Sequence, residues 1–487
     1  MLYTSTRNNK IRVTAAQAIA QGISEEGGLF VPVELPHFSM DTVREMMEMS
    51  YIDRAKTVLR TFLTDFSDEE LNYCVEGAYR ADKFSSPAVA PTVNIGGKEN
   101  ILELWHGPTC AFKDMALQLL PYLMTVSAKK TAEGKTIVIL VATSGDTGKA
   151  ALEGFKDVDK TKILVFYPVD GVSPMQKLQM TTQEGENVAV CAIHGNFDDA
   201  QSAVKSIFTN DEIKAELAKK NMMFSSANSI NWGRLVPQIV YYFSAYADLC
   251  KMGQLQVGEP MNVVVPTGNF GNILAGYYAK HMGLPIQTMV CASNTNNVLT
   301  DFLKTGTYDR NRDFYATTSP SMDILISSNL ERLLYHMSGE SDAAVRGWMT
   351  QLAENGKYTV EPEVMAKIQN EFAAGYCDEV AVADTIHKTY TDQNYLCDTH
   401  TAVAVKVYRD YVAQTGSPYK FSKSVLTAVL EGNTPQLDEF DMVEELHRVT
   451  GAAVPAPLAA LKDKAVRFTQ VCDRENMSQM VFQLLNL

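Results

Sequence analysis

The sequence predicts an α/β protein in which helices pack on mostly parallel β-sheets. Short apolar runs rich in β-branched residues recur along the chain, and each is followed by a stretch with helical spacing. Glycine-rich turns separate several of these pairs. A strand that is apolar throughout is typical of a parallel sheet covered on both faces, and its alternation with helices is typical of βαβ units.

The first 95 or so residues are predicted to form a mainly helical region. Residues 41–63 place apolar side chains at helical spacing, and residues 66–80 begin with Ser67 as a cap before an acidic first turn. Before them, residues 25–36 contain a glycine pair and two prolines, which predict a turn and an extended segment.

The strand–helix pairs follow from about residue 136. The predicted strands are residues 136–142, 162–168, 187–193, 261–266 and 286–293. No repeat of 20–50 residues is present, so a solenoid is not expected. Residues 451–464 are predicted to be a linker into a final helical tail.

Composition narrows the class of protein. The 487 residues are 46% apolar and 21% charged, as expected for a soluble globular chain of about three domain-sized units. Acidic residues outnumber basic ones, 57 to 43, and the formal net charge of -14 argues against nucleic acid or anionic membrane as a partner. The eight scattered cysteines predict free thiols, and neither a signal peptide nor a membrane span is evident, so we expect a cytoplasmic protein.

Residues 142–150 form a turn rich in glycine and hydroxyl groups between a predicted strand and a helix. It is a near miss for a P-loop, because Thr143 stands where the loop needs glycine and Ala150 where it needs Ser or Thr. Its amides and hydroxyls at a helix N-terminus suit a carboxylate or a phosphate. The same residues also fit a well-capped helix, with Ser144 or Asp146 as the cap.

A second turn of this kind spans residues 266–272, again between a predicted strand and a helix. Gly268 and Gly271 would let the backbone approach a ligand, and the helix N-terminus behind them suits a phosphate. A tight turn without a ligand would show the same pattern. Two such turns in one α/β chain favour a small phosphorylated or carboxylated ligand.

Residues 228–234 place polar groups ahead of a helix. Asn228 and Ser229 precede it, and Arg234 lies about one turn inside it, where its planar fork could hold an anion through two hydrogen bonds. The alternative is a capped helix with a solvated arginine.

Lys113 stands among apolar neighbours where a short helix is predicted to begin. The positive end of the helix dipole and partial burial both favour the neutral amine over the charged form. A neutral amine is what a Schiff base with an aldehyde cofactor requires, and two anion-binding turns accompany it. The alternative is a partly buried lysine paired with Asp114.

Five motifs, in this order along the chain, resemble the threonine synthase family, and residues 21–36 resemble the N-terminal region of its bacterial and fungal branch. The five motifs are HGPTCAFKD (106–114), ATSGDTG (142–148), NSINWGR (228–234), PTGNFGN (266–272) and DTHTAVAV (398–405). The resemblance covers nearly the whole chain. It implies the fold of type II, tryptophan synthase β-like, pyridoxal phosphate enzymes, with pyridoxal 5'-phosphate as cofactor.

The resemblance also implies roles for individual residues. Lys113 would form the Schiff base with the cofactor and act as the catalytic base, and Thr401 would face the pyridine nitrogen. The loop holding the cofactor phosphate would be Gly268, Asn269, Phe270, Gly271 and Asn272. The substrate would be bound by Thr143, Ser144, Asp146, Thr147, Asn228, Ser229 and Arg234. Asp146 replaces the asparagine that many fold type II relatives place near the cofactor's hydroxyl.

By the same resemblance, the reaction converts O-phospho-L-homoserine and water into L-threonine and phosphate. We expect an N-terminal domain at 1–95, a large cofactor domain at 96–140 and 263–487, and a smaller mobile substrate domain at 141–262. The expected assembly is a monomer or a homodimer. His106 and His400 adjoin the motifs without metal-ligand spacing, so no metal is expected.

Two rival functions stay open on the motifs alone. A phospholyase would break the same bond in the same substrate but release 2-oxobutyrate and ammonia. A non-catalytic metabolite-binding homologue is disfavoured by the intact Lys113. Arg234 argues against a threonine dehydratase or a cysteine synthase, because neither needs a clamp for a leaving phosphate.

Overall fold

The structure is a computed structural model that describes residues 1–131, 134–195, 197–407, 411–414, 422–430 and 437–485. Its strands are β1 Tyr3–Ser5, β2 Asn8–Val13, β3 Phe30–Pro32, β4 Thr92–Gly96, β5 Glu99–Glu103, β6 Thr136–Ala142, β7 Thr161–Pro168, β8 Val188–His194, β9 Met222–Ser225, β10 Met261–Pro266, β11 Ile286–Ser293, β12 Thr307–Asp309, β13 Lys357–Thr359, β14 Phe372–Tyr376, β15 Tyr411–Gln414 and β16 Val471–Asp473. The five strands predicted from the sequence are β6, β7, β8, β10 and β11, each within one residue of its expected bounds.

The α-helices surround these strands. They are α1 Ala15–Gln21, α2 Met40–Met46, α3 Tyr51–Phe62, α4 Asp68–Ala78, α5 Asp114–Leu117, α6 Leu120–Thr131, α7 Asp146–Phe155, α8 Pro174–Thr181, α9 Phe197–Thr209, α10 Asp211–Lys219, α11 Trp232–Lys251, α12 Gly271–His281, α13 Val298–Thr305, α14 Leu330–Met337, α15 Asp342–Asn355, α16 Pro362–Glu371, α17 Glu379–Gln393, α18 Thr399–Val407, α19 Ser422–Val429, α20 Glu439–Thr450, α21 Ala456–Ala459 and α22 Met477–Leu485.

Two sheets carry the architecture. The six-stranded sheet has the order β14-β11-β10-β15-β5-β4, and all its pairs are parallel except the hairpin β4–β5. The five-stranded sheet has the order β16-β8-β7-β6-β9 and is parallel throughout. Helices pack on both faces of these sheets and bury most positions of β6, β7, β8, β10 and β11, which explains why these five strands are largely apolar. The predicted α/β class with mostly parallel sheets is confirmed.

The N-terminal region combines helices with a small sheet of order β2-β1-β3. Ser67 caps α4 and forms a capping box with Glu70, as predicted. The predicted helical stretch 41–63 is two helices rather than one, because Ser50 caps the second by accepting a hydrogen bond from the amide of Asp53. The three strands are three to six residues long, too short to show a distinct alternation in the sequence.

The C-terminal segment differs from the predicted linker and helical tail. Residues 456–463 form α21 and a turn of 3-10 helix, and β16 then adds a strand to the five-stranded sheet before α22. Because β16 has only three residues and is held by backbone hydrogen bonds to β8, its sequence does not indicate a strand. The domain boundaries at 95, 140 and 262 stay predictions.

Each of the eight cysteines is a free, buried thiol, as predicted. Among the described residues, no helix is long and apolar enough to cross a membrane.

An ion-pair cluster joins the ends of α12 and α16, and its contribution to the free energy of unfolding should depend on pH. Glu371 Oε2 lies 2.6 Å from Lys280 Nζ, and its Oε1 lies 3.3 Å from His281 Nε2. The hydrogen bond from His281, followed by Lys280, lowers the pKa of Glu371 to about 2. A carboxylate with a lowered pKa stabilises the fold above its unfolded pKa and loses that contribution as the pH falls towards the folded value.

Glu371→Gln should therefore lower the free energy of unfolding by about 1 kcal/mol at pH 7. The deficit should shrink as the pH falls from 5 towards 3. Urea unfolding at several pH values measures both effects, with Glu354→Gln at an exposed position of α15 as the matched control. A deficit that is independent of pH would contradict the assignment.

Candidate active site

A cleft lies where the carboxyl ends of the two sheets face each other. Loops that follow β5, β6, β9 and β10 form its walls, together with residues 321–324. Ligands in open α/β sheets bind at such strand ends. Twelve of the fourteen predicted site residues line the cleft: Lys113, Thr143, Ser144, Thr147, Asn228, Ser229, Arg234, Gly268, Asn269, Phe270, Gly271 and Asn272. The other two, Asp146 and Thr401, are buried near this lining.

Lys113 is the N-cap residue of α5 and is 9% exposed. Its Nζ donates to Ser321 Oγ at 3.0 Å and lies 3.8 Å from Asp146 Oδ2. The carboxylate of Asp114 instead accepts from the amide and the hydroxyl of Thr109, at 2.8 and 2.7 Å. The lysine therefore extends into the cleft, with a serine and an aspartate from distant parts of the chain beside it.

Asp146 begins α7 and is 3% exposed. Its Oδ1 accepts from Gln176 Nε2 at 2.9 Å, and its Oδ2 faces Ser321 Oγ at 3.4 Å. Gly145 before it adopts a φ of 129°, and a Cβ there would lie 2.4 Å from the side chain of Gln176. Only glycine fits at this position, and the turn that it allows places the Asp146 carboxylate beside the Lys113 amine.

Thr143 organises the turn after β6. Its Oγ1 accepts from the amides of Gly145 and Gly148, at 2.9 and 2.8 Å, while Ser144 and Thr147 are half-buried in the cleft wall. The nearby Lys149 is buried and contacts Glu153 Oε2 at 3.1 Å together with Gln183. Since this lysine belongs to the α7–α8 packing, the rejection of a P-loop stands.

Thr143→Val should loosen this turn without changing the volume of the side chain. Two buried amides would lose their acceptor, which should cost about 2 kcal/mol of stability. Chemical denaturation measures the loss, and substrate KM should rise because the turn holds Ser144 and Thr147. Thr143→Ser, which keeps the oxygen, is the matched control, and equal losses in both variants would contradict the role of the hydroxyl.

The glycine loop after β10 is shaped for close approach. A Cβ on Gly268 would lie 2.6 Å from the carbonyl oxygen of Ser321, and Phe270 adopts a left-handed φ of 61° before α12. The Asn272 carboxamide oxygen accepts from Tyr241 Oη at 2.6 Å and Tyr242 Oη at 2.7 Å. Among the described residues, Asn272 Nδ2 has no hydrogen-bond partner although it is buried. A buried donor of this kind is suited to an anion.

Arg234 lies on α11 beside this loop and is 4% exposed. Its Nη1 donates to the carbonyl of Ala227 at 2.6 Å. Burial lowers the pKa of Arg234 to about 10, which leaves the side chain charged at neutral pH. Its Nε has no hydrogen-bond partner within the part of the chain that the structure describes. A buried cation with an unused donor marks a second position for an anion.

Two buried residues of 329–332 join the loops that carry these groups. Asn329 Nδ2 donates to Ser229 Oγ at 2.8 Å and to the carbonyl of Asn269 at 2.9 Å. Arg332 donates to Asn329 Oδ1 and to the carbonyls of Phe30, Ser229 and Ile230, at 2.9, 3.1 and 2.5 Å for the carbonyls. Its guanidinium thus fixes the 228–231 loop against the glycine loop and the N-terminal region.

Asp398 precedes α18 and contacts two residues of its first turn, His400 and Thr401. Asp398 Oδ1 accepts from the amide of Thr401 at 2.8 Å, and its Oδ2 lies 3.2 Å from His400 Nδ1. His400 lines the cleft, and its Nε2 accepts from the amide of Ser321 at 3.2 Å. Thr401 Oγ1 is buried and has no hydrogen-bond partner among the described residues. His106 lies elsewhere, between Ser85 and Glu103.

Several cleft residues are not in the predicted set. They are Phe112, Ala142, Phe197, Gln201, Gln238, Pro266, Thr267, Ser321, Met322, Ile324 and His400. Ser321 and its neighbours are the main omission, because residues 317–329 contain no glycine turn after a strand. The cluster SPSM offered only small polar residues, which are typical of any loop.

The similarity of this chain to known proteins shows its family. Residues 2–79 match the family described as threonine synthase N terminus, and residues 101–379 match pyridoxal-phosphate dependent enzyme. The chain is 37% identical to the threonine synthase of Pseudomonas aeruginosa, over 95% of this chain and 97% of that protein. The chain belongs to the threonine synthase family. The predicted resemblance is thereby confirmed.

Solved structures of threonine synthases share the fold. The pyridoxal-phosphate-bound enzyme of Brucella melitensis superposes with a TM-score of 0.86 and 38% identity, covering 99% of each chain. Threonine synthase-like 1 of Pongo abelii is 41% identical over 84% of this chain. The chain spans 56% of the length of that relative.

As a member of this family the chain uses pyridoxal 5'-phosphate, and its cleft fits that cofactor. The cofactor needs an amine for its aldehyde, donors for its phosphate and a partner for its ring nitrogen. Lys113 supplies an amine, and the cradle at Gly268 would be filled by a Cβ. Asn272 Nδ2 and Thr401 Oγ1 are buried polar atoms without hydrogen-bond partners among the described residues.

Proposed function

We propose that the chain is a threonine synthase, which converts O-phospho-L-homoserine and water into L-threonine and phosphate. The observation that carries this proposal is Arg234. It places a buried positive charge with an unused Nε in the same cleft as Lys113 and the glycine loop. One phosphate site suffices for the cofactor, so a second cationic site supports a substrate that carries its own phosphate.

We divide the predicted site residues between the cofactor and the substrate. We assign the cofactor phosphate to the loop of Gly268, Asn269, Phe270, Gly271 and Asn272, and the ring nitrogen to Thr401. We assign the substrate phosphate to Asn228, Ser229 and Arg234, and the substrate carboxylate to the turn that holds Thr143, Ser144 and Thr147. Asp146 is assigned to the surroundings of the Lys113 amine, where its carboxylate lies 3.8 Å away.

The chain's own residues would drive the reaction by positioning and proton transfer. Bound pyridoxal 5'-phosphate supplies an electron sink that acidifies the substrate's α and β protons. Lys113 Nζ accepts these protons and later returns one to the γ carbon, which becomes the methyl group of threonine, and one to the α carbon. Arg234 holds the phosphate group in line with its bond to the γ carbon and stabilises the charge that develops as it leaves. Water then adds at the β carbon.

Closure of the five-stranded unit over the substrate would keep water out until this addition. The turn after β6 and the 226–231 loop after β9 both belong to that unit, and both reach the cleft. Both loops fall within the smaller domain predicted at 141–262, and we propose that this domain moves towards the large domain. We further propose a monomer or homodimer in the cytoplasm that has no nucleic-acid partner, in line with the net charge of -14.

Product analysis by NMR tests the proposal. The purified protein, loaded with pyridoxal 5'-phosphate, is incubated with O-phospho-L-homoserine. Threonine and phosphate in equal amounts are expected. Phosphate with 2-oxobutyrate and ammonia would assign a phospholyase instead, and the absence of any product would favour a metabolite-binding homologue.

A further inference from the structure

Ser321 lies in a triangle with Lys113, the one lysine among the described residues that line the cleft, and with the buried carboxylate of Asp146. Its Oγ accepts from Lys113 Nζ at 3.0 Å and donates to Asp146 Oδ2 at 3.4 Å, while the lysine and the aspartate are 3.8 Å apart. The hydroxyl thus bridges the two charged groups. A hydroxyl can accept one proton and give up another at the same time.

The surroundings fix Ser321 in this position. Its amide donates to His400 Nε2 at 3.2 Å. Two residues later, Asp323 accepts from Asn294 and Asn296, at 2.7 and 2.9 Å, and from the hydroxyl of Thr317 at 2.7 Å. These bonds hold the whole turn, so the Ser321 hydroxyl is not a surface group that meets the lysine by chance.

The Asp146 carboxylate, which would accept the proton, is also held in a fixed position. Asp146 is 3% exposed, and Gln176 Nε2 holds its other oxygen at 2.9 Å. Asp146 and Gln176 lie on helices beside the five-stranded sheet, whereas Lys113 precedes α5 and Ser321 follows β12. Three segments of the chain therefore meet at the amine, and a fourth holds the carboxylate through Gln176, which is more than a structural ion pair of a lysine requires.

We propose that Ser321 passes protons between Lys113 and Asp146. The inference rests on the proposed function, in which one amine must remove two protons, from the α and the β carbon. A neutral amine accepts only one proton, so it must unload the first before it can take the second. In the transfer, an N–H bond of the Lys113 ammonium breaks as its proton moves to Ser321 Oγ, and the serine proton moves to Asp146 Oδ2. The lysine becomes neutral, the carboxylate becomes a carboxylic acid, and the serine is unchanged.

Isotope exchange separates the two protons. The probe is L-2-aminobutyrate, which has the α and β hydrogens of the substrate but no leaving group, and inorganic phosphate is added to occupy the second anion site. The holoenzyme is incubated with this probe in deuterium oxide, and NMR follows the loss of each hydrogen. Exchange at the α carbon needs no relay, because the protonated lysine can return a deuteron directly. Exchange at the β carbon needs the amine to be unloaded first.

Ser321→Ala should keep α exchange within about threefold of the natural protein and slow β exchange by at least tenfold. Ser321→Thr, which keeps the hydroxyl, should restore β exchange, and Ser328→Ala in the same segment is the matched control. Equal rates at both carbons in Ser321→Ala and the natural protein would overturn the relay. Loss of both exchanges would overturn it too, because Ser321 would then only position the lysine. Absence of α exchange in the natural protein would instead count against the proposed function.

A second readout needs no cofactor. In the apoprotein, the reaction of Lys113 with a neutral acylating reagent is followed across pH by peptide mass spectrometry. Asp146→Asn removes a carboxylate 3.8 Å from the amine and should lower the midpoint of the reaction by about one pH unit. Ser321→Ala leaves that charge in place and should shift the midpoint less. An unchanged midpoint in Asp146→Asn would show that the two groups are not coupled and would overturn the relay.

Discussion

Lys113→Ala should lower turnover by at least about 10³-fold, because it removes both the amine that bonds to the cofactor and the base that moves the substrate protons. The shift in visible absorbance that accompanies Schiff-base formation should disappear as well. Steady-state product formation and the absorbance spectrum after addition of pyridoxal 5'-phosphate measure the two losses.

Two variants control for charge and for lysine removal in general. Lys113→Arg keeps the positive charge beside Asp146 but cannot form the Schiff base, so it should be as inactive as the alanine variant. Lys156→Ala removes a lysine that pairs with Glu184 at 2.9 Å away from the cleft, and it should keep full turnover. Turnover that survives in Lys113→Ala would refute the assignment of the catalytic lysine.

Arg234→Met should reduce kcat/KM for O-phospho-L-homoserine by about 10² to 10³-fold, or roughly 3–4 kcal/mol in transition-state stabilisation. The reason is that the substrate phosphate would lose its buried cation while its charge grows. The methionine fills a similar volume. Steady-state kinetics with the phosphorylated substrate measures the loss.

The same variant distinguishes a role in function from a role in folding. Burial lowers the pKa of Arg234 to about 10, which means that the fold works against its charge. The free energy of unfolding of Arg234→Met should therefore differ from that of the natural protein by no more than about 1 kcal/mol. The α exchange of L-2-aminobutyrate, which carries no phosphate, should be nearly unaffected. A similar loss with both compounds would remove the argument for a phosphate site at Arg234.

The sequence predicts those strands and turns whose cause lies within a short segment of the chain. The apolar runs of β6, β7, β8, β10 and β11 are mostly buried strands, so their composition alone reveals them. The turns after β6 and β10 are predictable because glycine and polar residues cluster in one short segment after each strand, and the structure shows that a Cβ at Gly145 or Gly268 would clash. By contrast, β16 pairs with β8, almost 280 residues earlier in the chain, and no local sequence pattern indicates that pairing.

The site residues show the same division. Lys113, Arg234 and the glycine loop stand out by their type and setting, whereas Ser321 gains its importance only from three-dimensional neighbours. Its contacts with Lys113 and Asp146 span 208 and 175 positions of the chain. Asn329 and Arg332 are similar cases, since an asparagine and an arginine at the start of a helix usually indicate a cap and a solvated side chain.

The network around Arg332 has a consequence for the order in which the protein can be made. Arg332 bonds the carbonyl of Phe30 across 302 positions, and Glu331 accepts from Thr6 and Arg7 across 325 and 324. During synthesis the first strands emerge long before these partners exist. Contacts of such wide separation slow folding. Thr6, Arg7 and Phe30 must therefore wait for residues 331 and 332 to be translated, and the cleft cannot be completed before then.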